Sequence, residues 1–263
     1  MNVSRAHDSG FRLIQLSDCH LPANPDRAYR GLNADAGLEA VLRAVQSWQP
    51  DAILLTGDLS EDASSASYER LAAHVNELNV PIFALPGNHD DPVVMERYFP
   101  EGPYSGPWIQ QVGGWNLALL NSAQAGRIEG CLADADLEAL RTELAVGKPG
   151  LIALHHQPIP VDAPWIDRYM LASPEEFLRC VEERENLRIV TWGHVHQVFQ
   201  QQVGQACFMS APSSAANSLP RRQRFSLDDS GPACRWFELC PDGRFESGVI
   251  WGQSKNSVFR SPV

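Results

Sequence analysis

Over its first two thirds the chain switches repeatedly between two hydrophobic periods. FRLIQLSD, from Phe11, is a short apolar run of strand length, and NADAGLEAVLRAVQSW then places Leu38, Val41, Leu42, Val45 and Trp48 at helical spacing. The alternation continues with DAILLTGD as a buried strand, Tyr68, Leu71, Val75 and Leu78 on a helix face, and VPIFALPGNHD as another strand. WNLALLNS predicts a further strand, and Leu137, Leu140 and Leu144 a helix that stops at Gly147 and Pro149. After the strand LIALHH, Ser173-Pro174-Glu175-Glu176 predicts a helix start with a capping-box serine and proline at the first helical position, and LRIVTWGHVH is the next strand.

From Val198 onward the pattern changes to short strands (VFQQQV, ACFMS, CRWFELCPDGRFESGVIWG), with PDG separating two runs as in a hairpin. No repeat, linker or low-complexity tract divides the chain, so one domain is expected over residues 1–263. Within it, 11–200 is the α/β part and 200–255 a mainly β part completing the second sheet. The fold class is α/β, a four-layer α-β-β-α sandwich with two central mixed sheets. Trp236, Phe237, Phe245 and Trp251 read as core of that second sheet, with a cover over the site or a homodimer contact as the alternatives.

An apolar fraction of 44% in 263 residues supports a substantial core. The net charge of -11 argues against a nucleic-acid partner, because phosphate backbones are held by clustered Lys and Arg. The short basic cluster Arg221, Arg222, Arg224 falls on a loop, as a solvated face. No run of about 18 apolar residues could span a bilayer, and MNVSRAHDSG lacks the apolar core of a secretory signal, so a cytoplasmic location without membrane contact is expected. Six scattered cysteines without a CxxC pair read as reduced thiols filling apolar gaps.

The chemistry sits at strand ends. The first strand ends in Asp18 and His20, the second in Gly57-Asp58, the third in Gly87-Asn88-His89-Asp90, another in His155-His156 and the last in Gly193-His194-Val195-His196. Ligands of α/β sheets gather outside the carboxyl ends of strands. Residues two apart in extended chain share a face, so Asp18 with His20, and His194 with His196, should each point one way. Any one fragment could be a cap, a turn or a satisfied core histidine; their recurrence at successive strand ends is what argues for a site. Asp18, His20, Asp58, Asn88, His155, His194 and His196 make seven oxygen and nitrogen donors, enough for two metal ions about 3.5 to 4 Å apart if Asp58 bridges. Mixed imidazole, carboxylate and amide ligation suits Mn, Fe, Zn or Co. Gly57, Gly87 and Gly193 let the backbone turn sharply or approach closely before a ligand.

These residues resemble the motif series of the calcineurin-like metallophosphoesterases, D-x-H, G-D, G-N-H-D/E, H and G-H-x-H. The stretches LSDCHL, GLNADAGLEAVL, TGDLSEDASSASY, LPGNHDD, LALLNSAQAGRIEGCL, HHQPIP, GHVHQ and APSS are similar to the bacterial class III cyclic-AMP phosphodiesterase branch. The chain departs from that branch at Asn121, where Asp is usual, and at Ala215-Ala216-Asn217-Ser218, where a polar and aromatic pair is usual. The resemblance implies one metal held by Asp18, His20, Asp58 and His196 and the other by Asp58, Asn88, His155 and His194, with Mn or Fe foremost. It implies catalytic roles for His89, Asp58 and Asn88, and substrate contacts from His89, Asn88 and His196. His89 would serve the leaving oxygen, oriented by Asp90, Glu61 or Asp62. The implied reaction is hydrolysis of a small anionic phosphodiester, a 3′,5′-cyclic nucleotide, to its 5′-monophosphate by in-line attack of a hydroxide between the metals. Other readings are a broad phosphodiesterase acting on 2′,3′-cyclic nucleotides, nucleoside polyphosphates or phospholipid head groups, and a non-catalytic scaffold of the same fold.

Overall fold

The computed structural model describes residues 10–144 and 147–252. Its elements are β1 (Phe11–Leu16), α1 (Ala34–Gln46), β2 (Ala52–Thr56), α2 (Ser65–Asn76), β3 (Ile82–Leu85), α3 (Pro92–Met95), β4 (Trp108–Val112), β5 (Trp115–Leu119) and α4 (Asp134–Thr142). They continue as β6 (Gly150–Ala153), α5 (Pro164–Asp167), α6 (Glu175–Glu182), β7 (Leu187–Trp192), β8 (Phe199–Val203), β9 (Ala206–Ser210), β10 (Ala233–Leu239) and β11 (Phe245–Trp251).

Two sheets form, in the orders β11-β10-β1-β2-β3 and β4-β5-β6-β7-β9-β8. β1, β2 and β3 run parallel in one, and β5, β6, β7 and β9 parallel in the other. Strands buried on both faces explain the continuous apolar runs of the sequence. In β1, Ile14 and Leu16 pack beneath Leu38, Val41 and Val45 of α1, while Leu13 turns inward against Trp115, Leu151 and Phe237. On the far side Ile152, Val190 and Phe208 pack with Leu140, Ile166, Phe177 and Val181 from α4, α5 and α6. The result is helices, sheet, sheet, helices, as the periodicity predicts; each wholly buried aliphatic side chain contributes about 1.5–3 kcal/mol. Local caps support the helices: Asn33 accepts from Ala36 N at 2.8 Å at the start of α1, and Ser64 accepts from Ser67 N at 3.3 Å at the start of α2.

Three expectations are corrected. The strands of 200–255 do not all complete the second sheet: β8 and β9 do, but β10 and β11 extend the first. β10 pairs antiparallel with β1, Leu13 opposite Phe237, because it too is buried on both faces, with Cys234 and Trp236 under the helices and Phe237 and Leu239 between the sheets. Trp236 and Phe237 are therefore core of the first sheet, and the hairpin through Pro241-Asp242-Gly243 carries Phe245 and Trp251 beside them. Residues 253–255 of that expected part lie outside the described residues. Finally, no side-chain hydrogen bond caps α6, which begins at Glu175 with Pro174 flanking it. Ser173 is held at φ 49, because the chain entering it is tied to another loop through Ala172 N→Gly130 O at 2.7 Å.

Under the carboxyl ends of the strands a polar tie joins the sheets. Gln15 donates to Thr56 Oγ1 (3.0 Å) and to the Trp192 carbonyl (3.1 Å), and accepts from Thr191 Oγ1 at 2.6 Å. This sets the ends of β1, β2 and β7 against one another, and the candidate ligands lie immediately beyond.

Candidate metal centre

All five segments that carry candidate ligands meet where the strands end. Asp18 and His20 follow β1, Asp58 follows β2, Asn88 and His89 follow β3, His155 follows β6, and His194 and His196 follow β7. Asp18, His20, Asp58, His155, His194 and His196 are between 0% and 4% exposed. The backbone loops are stitched together: Asp18 N donates to Gly57 O (3.0 Å), His20 N to Asp58 O (2.9 Å) and Gly193 N to His155 O (3.1 Å). Asp18 also accepts the His194 N–H at 3.0 and 3.1 Å, and Asp58 Oδ1 accepts the His89 N–H at 2.9 Å.

The reason these residues converge differs from strand alternation. Asp18, His20, Asp58, His194 and His196 all adopt positive φ, between 44° and 63°, in turns beyond the strands. Left-handed backbone at five non-glycine residues of one site is strain held by the surrounding fold. As a consequence His194 and His196 do not share a target: His196 joins Asp18 and His20, whereas His194 joins His155 and His156.

Hydrogen bonds settle the tautomers. His20 Nδ1 donates to Glu61 Oε2 at 2.8 Å, His155 Nδ1 to the Thr56 carbonyl at 2.8 Å and His196 Nδ1 to the Ala216 carbonyl at 2.7 Å. Each imidazole so oriented turns Nε2 inward as a lone-pair donor. His20 Nε2 and His196 Nε2 stand 3.2 Å apart, and His196 Nε2 is 3.2 Å from Asp18 Oδ1. Asp58 Oδ2 sits between the groups, 3.7 Å from His20 Nε2 and 3.4 Å from His155 Nε2. Among the described residues, Asn88 Oδ1, His155 Nε2 and His194 Nε2 are buried without a hydrogen-bond partner. Two opposed lone pairs and three orphaned buried donors are unfavourable unless cations sit among them, so the donor set fits a pair of metal ions.

The charges point the same way. Burial pushes the Asp58 carboxyl up, but the neighbouring His155, and beyond it His20 and His89, hold it well below the usual range. Burial lowers His155, yet Asp58 and then Asp18 bring it up to about 9. His194 is pushed well down by burial and by His156 and His155. The carboxylates thus draw positive charge onto the cluster, whether a proton or a metal.

His156 lies in the same cluster but has no free nitrogen: Nδ1 accepts from Ser122 Oγ (2.8 Å) and Nε2 donates to the Ile128 carbonyl (2.9 Å). Ser122 Oγ also accepts the His155 and His156 N–H groups, which places His155. Next to Ser122, Asn121 accepts from Ala123 N at 3.0 Å, a local turn. Cys19 is buried in the helix-side core, away from its two neighbours' target. Of the three acids open to His89, only Glu61 reaches it, at 3.4 Å from Nδ1. Asp90 is occupied by the N–H groups of Leu59, Ser60 and Gly87 and the Tyr68 hydroxyl, and Asp62 by Ala23 N and Ser64 N. Burial lowers His89, but Asp58 and Glu61 outweigh it and raise it.

The hold of Glu61 on His20, and the parts of Ser122 and the Thr56 and Ala216 carbonyls, escape the sequence reading because the orienting atoms are backbone oxygens or lie far away along the chain. The glycine reading holds at all three positions: a Cβ on Gly87 would collide with Asp58 Oδ1. A Cβ on Gly193 would collide with Ser17 Oγ, and one on Gly57, which has φ 87, would stand 2.5 Å from His155 Nδ1.

The profile of the calcineurin-like phosphoesterases matches residues 11–198. A 3′,5′-cyclic adenosine monophosphate phosphodiesterase of Pseudomonas aeruginosa is 36% identical over 93% of this chain and 91% of its own. A 3′,5′-cyclic-nucleotide phosphodiesterase of a Nostoc species is 32% identical over 90% and 91%. In fold the chain is similar to a dimetal phosphatase from Danio rerio, with a TM-score of 0.71 and 12% identity over 97% of this chain and 99% of that one.

Proposed function

The chain belongs to the calcineurin-like phosphoesterase family, and from that premise we propose that it hydrolyses 3′,5′-cyclic nucleotides, cyclic AMP foremost, to 5′-monophosphates. One observation carries the reading: three imidazoles, each fixed through Nδ1, turn Nε2 inward, those of His20 and His155 toward the Asp58 carboxylate and that of His196 toward Asp18, with His89 at the open side. Curated relatives that match nine tenths of the chain support the substrate class.

In this reading Asp18, His20 and His196 would hold one metal ion, Asn88, His155 and His194 the other, and Asp58 would be shared between them. A bound pair of ions, Mn or Fe in this proposal, supplies Lewis acidity that lowers the pKa of water and offsets charge on the phosphoryl group. The chain's own groups do the rest. Glu61 fixes His20 at 2.8 Å and His89 at 3.4 Å, so one carboxylate orients a ligand and the proton donor together. With Nδ1 toward Glu61, His89 leaves Nε2 for the departing 3′-oxygen, to which it gives a proton. Asn88 and His196 stand next to the phosphate. Action in the cytoplasm on a small diester, without nucleic acid, belongs to the same proposal.

The test is metal analysis of the purified protein followed by turnover of cyclic AMP, cyclic GMP, 2′,3′-cyclic AMP and bis(p-nitrophenyl) phosphate under defined Mn. About two metals per chain and preference for 3′,5′-cyclic AMP are expected. Preference for 2′,3′-cyclic AMP would replace the reading with the broad phosphodiesterase. A protein without metal or turnover after Mn addition would be the scaffold.

A further inference from the structure

A cation and an aromatic ring from distant parts of the chain meet beside the ligand cluster. Tyr29 and Leu32 exchange backbone hydrogen bonds of 2.8 and 2.9 Å, and between them Arg30 and Gly31 have φ 48 and 82. Two positive φ values are the demand of a type I′ turn, whose central positions favour Gly, Asn and Asp. Arg30 takes one of them, at the tip. Tyr29 anchors the turn by stacking on His20, with ring centroids 4.0 Å apart and planes 7° apart. The Arg30 guanidinium stands 3.8 Å from the ring centroid of Phe225, from the loop between β9 and β10, and its Nε donates to the Tyr29 hydroxyl at 3.1 Å.

Three features mark this pair as more than surface packing. Among the described residues no carboxylate pairs with Arg30, in a chain of net charge -11. Arg30 lines, with His89, Glu61 and Tyr29, a cleft of about 330 Å³. Phe225 is half-buried, 6.3 Å from His196 and 5.4 Å from Trp165 between ring centroids, so it borders the cluster and presents a face that already accepts a planar group. The nearby Ala215 and Ala216 are buried and offer no ring.

We propose that Phe225 is the stacking platform for the nucleotide base and Arg30 the counter-cation of the substrate phosphate. The base takes the ring face that the guanidinium now covers. The guanidinium, with no carboxylate to leave, turns from its Tyr29 anchor toward the phosphate beside His89. This deepens the cyclic-nucleotide reading of the site and rests on it.

Titration calorimetry of Mn-loaded protein with AMP and with ribose 5-phosphate, which lacks the base, separates the two roles. Phe225→Ala should weaken AMP about tenfold, as expected for lost base stacking, and ribose 5-phosphate less than twofold; Phe225→Trp should keep AMP binding and shows that the loop still folds. Arg30→Ala should weaken both ligands by a similar factor of about ten or more, with partial recovery in Arg30→Lys. Equal loss of both ligands in Phe225→Ala, unchanged AMP binding there, or ribose 5-phosphate bound as in wild type by Arg30→Ala would overturn the assignment. Cyclic AMP turnover by wild type is a separate measurement, and its absence would overturn the substrate reading while the binding series still decides the roles of Phe225 and Arg30.

Discussion

His155 shows how the fold fixes one candidate ligand of the proposed metal pair. Its Nδ1 proton is committed to the Thr56 carbonyl, its backbone N–H to Ser122, and its Nε2 faces Asp58. Burial alone would lower its pKa, but the Asp58 charge dominates and brings it up to about 9. Below about pH 9 the metal-free protein therefore holds a proton there that a metal must displace, so metal affinity falls as pH falls. Calorimetric titration with Mn should show the apparent Kd weakening about tenfold per pH unit between about 9 and 7, with proton release that scales with buffer ionisation enthalpy. A flat Kd across that range would contradict the proton competition. At His89 the expected signature is a leaving-group dependence. His89→Ala should slow cyclic AMP, whose alkoxide needs a proton, by about 10²–10⁴-fold, and bis(p-nitrophenyl) phosphate by less than about tenfold. Equal losses on both substrates would remove the proton donor.

At the scale of elements, parallel strands from both sheets deliver their carboxyl ends to one place, and short left-handed turns then aim the ligands. The helix and strand periods were legible because apolar residues must face a core at 3.6- or 2-residue spacing. The turns were not. Asp18 and His20 share a target and Cys19 faces away into the helix-side core, as alternation predicts, but His194 and His196, at φ 63 and 50, part to different groups. The unforeseen start of α6 has a similar cause, since its incoming chain is tied to a loop more than forty positions earlier in sequence, at Gly130. Close approach of the loops makes Gly193 a sensitive point. Gly193→Ala would force Cβ into Ser17 Oγ and against Asp18 Oδ2 at 2.8 Å. Overpacking of this kind costs about 1–3 kcal/mol, so melting should fall by several degrees, and metal analysis should show less than the wild-type content. Wild-type content in a stable Gly193→Ala protein would show that the loops have slack.

Across the whole molecule, the centre joins the two sheets. Asp18, His20, Asp58 and Asn88 come from the ends of the first sheet, and His155, His194 and His196 from the second. Bound ions would therefore act as cross-links at the top of the sandwich, above the Gln15, Thr56 and Thr191 tie. A ligand present at about 100 times its Kd stabilises by roughly 2.7 kcal/mol per site. Removal of both ions with EDTA should lower Tm by about 10–20 °C in a protein of this size, reversibly on adding Mn; an unchanged Tm would mean that no ion binds the folded state preferentially. Among the described residues no helix is long and apolar enough to cross a membrane. The net charge of -11 adds a further requirement: an anionic substrate meets a negative molecule, and local cations such as Arg30 must offset that field at the entrance.

Layer order, strand ends and the types of donor were determined by the sequence itself, because hydrophobic period and residue chemistry are local properties. Which donors share a target, that Glu61 rather than Asp90 or Asp62 faces His89, that β10 joins the first sheet, and that Arg30 meets Phe225 were decided by tertiary structure alone. Those contacts join residues up to 228 positions apart, as in Phe11 opposite Leu239, and only the packing of the folded chain sets their distances.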